Sequence, residues 1–100
     1  MDNSRAMTAI EAYMFDLFEP DRNWPEHEFR RRSYEIWAAT EILNIVECHP
    51  YISPYRLVGD FACKTAKFSR MDHDNKSNNF IFSTAHDVAT DILDILRAMD

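Results

Sequence analysis

Gly59 is the only glycine in the 100 residues of this chain. Sheet proteins rely on glycine at hairpin turns and bulges, where φ turns positive or another backbone passes close. A chain with one glycine has little access to such turns. It is expected to use elements that close their hydrogen bonds locally, namely helices joined by a few loops. With 46% apolar and 13% aromatic residues it has ample material for a core, and its length suits one domain rather than two.

Apolar residues recurring every three to four positions place four helices. The first is predicted over about 5–18, behind an Asp2-Asn3-Ser4 capping cluster, with Ala6, Met7, Ile10, Tyr13, Met14, Leu17 and Phe18 on one broad face. The second is predicted over about 25–48, with Pro25 at its first position and Glu26 and Glu28 at the positive end of its dipole. Its apolar residues change sides: Ile36, Ala39, Ile42, Leu43, Ile45 and Val46 share one, while Phe29, Ser33 and Trp37 drift to another. A helix patterned in this way touches several neighbours and belongs at the centre. The third, about 54–69, follows a Ser53-Pro54 start signal. Leu57, Val58, Phe61, Thr65 and Phe68 form its core face, beside a small-residue ridge of Gly59, Ala62, Cys63 and Ala66 suited to close helix approach. The fourth, about 79–99, sets Ile81, Ala85, Val88, Ala89, Ile92, Leu93, Ile95, Leu96 and Met99 against Asp87, Thr90, Asp91, Asp94 and Arg97. The expected fold is one all-α domain over residues 1–100, a compact four-helix bundle.

Charge narrows the function. Seventeen acidic against eleven basic residues leave a net charge of −6. Phosphate backbones and anionic membrane surfaces call for a surplus of Lys and Arg, so neither is an expected partner. No apolar run approaches the ~18 residues of a membrane span. The first stretch, MDNSRAMTAIEAYMFDLFEP, carries Glu11 and Asp16 inside its apolar part, unlike a signal peptide. Cys48 and Cys63 are too few for a disulfide scaffold. An antiparallel helix pair would also offset them by about 14 Å, beyond disulfide reach. Two free thiols in a reducing cytoplasm are expected.

The stretch MDHDNKSNNF, residues 71–80, alternates acids and amides like a calcium loop. Counted from Asp72, however, the EF-hand pattern meets Lys76 at a ligand position, Ser77 where the turn needs Gly, and Ser83 where the closing Glu belongs. His73 has no zinc-spaced partner among Cys48, His49, Cys63 and His86. The stretch reads as a helix connection, with Asn78 or Asn79 capping the fourth helix, and no metal or cofactor is expected.

His86-Asp87 resembles the dipeptide of HD-type metal phosphohydrolases, which are also all-helical. That resemblance would imply further histidines and an aspartate converging from other helices, and the pattern does not supply them. Asp16 with Glu19, and Asp91 with Asp94, are similar to the three-apart carboxylates of helical nucleotide pyrophosphatases. Asp91 and Asp94 lie opposite the apolar stripe, so only a dimer closing over them would build a metal site. Otherwise the Asp87, Asp91, Asp94 stripe is a solvated face. Arg30, Arg31 and Arg32 each have a glutamate four residues away, in Glu26, Glu35 and Glu28 respectively, and read as an ion-paired face.

Surplus aromatics are the remaining signal. Phe15 and Trp37 fall off the main faces of their helices, and Tyr51 and Tyr55 flank the Pro50–Pro54 connection. Packing against a second neighbour is the plainer account of each. With Arg30 they are also the candidate interaction surface, since such residues are enriched at protein interfaces. The chain is therefore expected to bind a protein partner or a second copy of itself rather than to act as an enzyme. A phosphohydrolase using Asp16, Glu19, Asp91 and Asp94 across a dimer is one alternative, and an acidic mimic of nucleic acid is another.

Overall fold

The computed structural model describes residues 3–18, 24–71 and 76–99, which form four helices: α1 (Ser4–Leu17), α2 (Glu26–Cys48), α3 (Pro54–Met71) and α4 (Lys76–Ala98). Among the described residues no strand occurs. The chain is thus an all-α, four-helix bundle-like domain, with a radius of gyration of 13.9 Å, close to that of a compact chain this long.

Its topology follows from pairs of residues far apart in sequence. Asn79 reaches Ser69, His86 reaches Ala62 and Tyr55 reaches Leu96, so α3 and α4 run antiparallel. Tyr13 meets Asp91 while Ser4 and Thr8 border the same surface hollow as Met99, and Thr40 meets Met14 while Asn3 meets His49, which sets α1 antiparallel to both α4 and α2. The helices therefore alternate in direction. α2 and α4 pack together along the middle, with α1 lying across this pair on one side and α3 on the other. A body of 40 × 36 × 22 Å results, two helix diameters thick. The shifting apolar face of α2 reflects this central place.

The core gathers Ile10, Ile42, Val46, Val58, Val88 and Ile92 around Ala38, Ala39, Ala85 and Ala89, all at most 2% exposed. These four alanines lie on the two central helices and let them approach closely. Fully buried residues of α2 begin only at Ala38, those of α3 stop at Thr65, and those of α4 begin at Thr84. The core therefore fills the end of the bundle where α2 runs into α3. At the opposite end, where α1 and α3 finish and α2 and α4 begin, Leu17 is the buried apolar residue among those described.

No described residue has a positive φ. Helices commonly stop on a left-handed glycine that satisfies the last carbonyls, and here that device is absent among the described residues. Polar side chains take its place. The His49 ring donates to the Ile45 carbonyl at 2.9 Å, Tyr55 to Leu96 at 2.6 Å and Asn79 to Ser69 at 3.0 Å. Each closes a carbonyl in the last turn of α2, α4 and α3 respectively. Asn3, buried, donates to the carbonyls of His49 and Ile52, pinning the start of α1 to the α2–α3 connection.

Several expectations are corrected. Asn3 stands at the N-cap of α1 but makes no capping hydrogen bond; its amide serves the tether just described. Pro25 is the cap of α2 rather than its first residue. α4 begins at Lys76, three residues early, so Asn79 lies inside the helix and closes α3 instead of capping α4. Asp2, Asp72 and His73 lie outside the described residues. Gly59 is not a point of close approach, because a Cβ added there meets nothing within 4 Å. On that ridge Ala62 is the buried member and Cys63 is exposed.

Candidate functional site

Large apolar side chains left in solvent define one candidate surface. Phe15 and Phe18 close α1, Phe29 opens α2, Phe68 and Met71 close α3 and Phe80 opens α4. All six are exposed, Phe15 at 75% and Phe29 at 64%. The alternating helix directions put all six at the end that the core leaves unfilled. The aromatic pairs there meet at their edges or tilted, Tyr34 with Phe80 at 5.6 Å and Phe68 with Phe82 at 5.3 Å between ring centres. A shallow groove of about 420 Å³ runs between the starts of α2 and α4, lined by Glu26, His27, Arg30 and Phe80. Arg30 is exposed and pairs with Glu26 at 3.6 Å.

The aromatics singled out in the sequence divide. Phe15 belongs to this end. Trp37, 42% exposed, sits midway along the outer face of α2. Tyr51 is 99% exposed but at the opposite end, in the α2–α3 connection. Tyr55 is partly buried against the core, and its hydroxyl donates to the Leu96 carbonyl at 2.6 Å. Sequence reasoning misses Phe18, Phe29, Phe68 and Phe80 as surface residues, since Phe18 and Phe68 match the apolar face of their helices. The signal that finds them is topological, because it depends on which helix ends share one side of the bundle.

A cleft of about 360 Å³ between α1, α2 and α4 is the second candidate. Its α4 wall carries Thr84, Asp87 and Asp91, and its α2 wall Glu28, Arg31, Arg32 and Glu35. Tyr13 and Leu17 of α1, with Val88, complete it. Both Arg31, at 3.1 Å, and Arg32, at 3.5 Å, pair with Glu35, whose side chain is largely buried. Arg32 also covers the Trp24 ring at 4.8 Å. The partner of Arg32 is thus three residues ahead of it, rather than Glu28 four behind. The Tyr13 hydroxyl donates to Asp91 at 3.2 Å. Burial first, then the Asp91 charge and this hydrogen bond, raise the Tyr13 phenol well above its ordinary range, so it stays a neutral donor. Asp91 is therefore more than a solvated stripe residue: α1 reaches across to it.

The other chemical candidates separate in space. His86 bonds the Ala62 carbonyl through Nδ1 at 2.9 Å, so that nitrogen carries the proton and the ring ties α4 to α3. Asp94 pairs with Arg97 at 3.6 Å on the surface. Asp16 is exposed, and Glu19 lies outside the described residues. Among the described residues no group of three His, Cys, Asp or Glu side chains is arranged to hold a metal ion. Arg56, Lys64 and Lys67 are exposed on α3, and Cys48 and Cys63 are free, exposed thiols. No described helix is long and apolar enough to cross a membrane.

No family model, curated protein or solved structure matches the chain.

Proposed function

We propose that the chain is a small acidic interaction module that docks a protein partner, or a second copy of itself, through the aromatic end of the bundle. The observation that carries this reading is the gathering of Phe15, Phe18, Phe29, Phe68, Met71 and Phe80 at the one end where the core stops. Exposed apolar residues scattered singly need no explanation, whereas several on one side of a small domain mark a contact surface. Arg30 and Glu26 supply polar groups at its margin, as interface rims do. The net charge of −6 directs the module toward proteins rather than nucleic acid. A reducing cytoplasm suits its two free thiols.

The test compares the wild type with a Phe15→Ser, Phe29→Ser variant. Both are used as bait for capture from host lysate, and both are followed by light scattering across a concentration series. The reading predicts a partner or a dimer that the wild type holds and the variant loses by about tenfold or more in affinity, at equal thermal stability. Identical capture and identical mass for both proteins would contradict it.

A further inference from the structure

We propose, resting on the contact surface just described, that the occupant of the aromatic end is a second copy of this chain, joined head to head across a two-fold axis. The two ends of the bundle differ in charge. Beyond the core limits at Ala38, Thr65 and Thr84, segments 15–37 and 66–83 hold the open helix ends and the stretches that join them in sequence. These segments contain eight acidic and seven basic residues, net −1. The rest of the chain contains nine acidic and four basic residues, net −5. A two-fold axis sets each patch against itself, so a patch of one sign repels its own copy. Contact through the core end would oppose −5 to −5. Contact through the aromatic end joins two nearly neutral surfaces and leaves the acidic ends far apart. In a body 40 Å long that separation exceeds the ~8 Å range of charge in physiological salt. A strongly acidic or basic partner finds no matching sign there, whereas a second copy brings the same balance.

Shape and area agree with this occupant. Phe29, 64% exposed, stands beside the groove lined by Glu26, His27, Arg30 and Phe80. Knob and hollow lie on one patch, so a two-fold axis seats each Phe29 in the groove of the other copy. Glu26 and Arg30, exposed and paired at 3.6 Å, exchange partners across that axis. Together the exposed parts of the five phenylalanines and Met71 amount to about three and a half whole residues, roughly 700 Å² at ~200 Å² each. A stable interface takes about 800 Å² from each partner, so one second copy suffices to cover them.

Sedimentation equilibrium of the full chain from about 1 μM to about 1 mM is expected to show monomer passing to dimer and no further, because a two-fold contact closes. Phe29→Ser is expected to weaken the dimer at least about tenfold at an unchanged thermal midpoint. Charge reversal separates a head-to-head pair from unspecific apolar association. Glu26→Arg and Arg30→Glu each tilt the patch to one sign and are expected to weaken self-association about threefold to tenfold. A mixture of the two forms a heterodimer, and the double variant regains the homodimer. Asp94→Asn, at the core end, leaves the dimer unchanged. A chain still monomeric at about 1 mM overturns the second copy as occupant. Lysate capture that still depends on Phe15 and Phe29 would then keep the contact surface with a different occupant, and capture indifferent to them would remove the surface as well. A dimer indifferent to Phe29→Ser and to both reversals also overturns the proposal.

Discussion

Gly59 lies in the middle of α3 with a helical backbone and open space where a Cβ would be. Folding removes its backbone freedom, and no tight packing at this position calls for a missing side chain. Gly59→Ala is therefore expected to stabilise the protein by about 0.5–1 kcal/mol. Thermal unfolding checks this, since a domain of this size shifts its midpoint by roughly 4–8 °C per kcal/mol. An unchanged or lowered midpoint would show that the position needs glycine. At this scale the sequence is legible for burial and less so for polar roles. Ile10, Ile42, Val58, Val88 and Ile92 are readable as core from spacing alone, because burial in a helix follows its period. Asn3, Tyr55, Asn79 and His86 are not readable in this way, because each bonds a carbonyl ten to 49 residues away.

Three of the four helix starts fall within a residue of their predicted places, fixed by local signals such as Ser53-Pro54 and Pro25. α4 is the exception, and the reason is tertiary. Asn79 finds the α3 end to cap, so its helix extends back to Lys76. The wider pattern is that carbonyls in the last turns of α2, α3 and α4 are closed by side chains, those of α3 and α4 by residues of each other, in the absence of left-handed residues among those described. Tyr55 shows the consequence most simply, joining the start of α3 to the last turn of α4. Tyr55→Phe removes that donor and leaves the ring in place, so it is expected to cost about 0.5–1.5 kcal/mol by denaturant unfolding. Association would stay unchanged, since the hydroxyl is turned inward. A variant as stable as the wild type would mean the carbonyl finds water at no cost.

The whole molecule is built unevenly. One end is filled by α2 from Ala38 onward, α3 up to Thr65 and α4 from Thr84 onward. The other is held by aromatic contacts and by ion pairs, the exposed Arg30 with Glu26 among them. Exposed ion pairs contribute little, and local stability follows buried apolar packing. This asymmetry is only half visible in the sequence. The drift of Phe29 and Trp37 off the α2 stripe marks a helix with mixed surroundings, but which helix ends meet is set by the topology. The central claim is that α2 passes from an open, aromatic end into a closed core. Residue-resolved hydrogen exchange along α2 tests it most directly. The account predicts that amides at 38–46 exchange only through global unfolding, while those at 30–36 exchange at least about tenfold faster through local opening. Uniform protection along α2 would contradict it, because the N-terminal half would then be as firmly packed as the core.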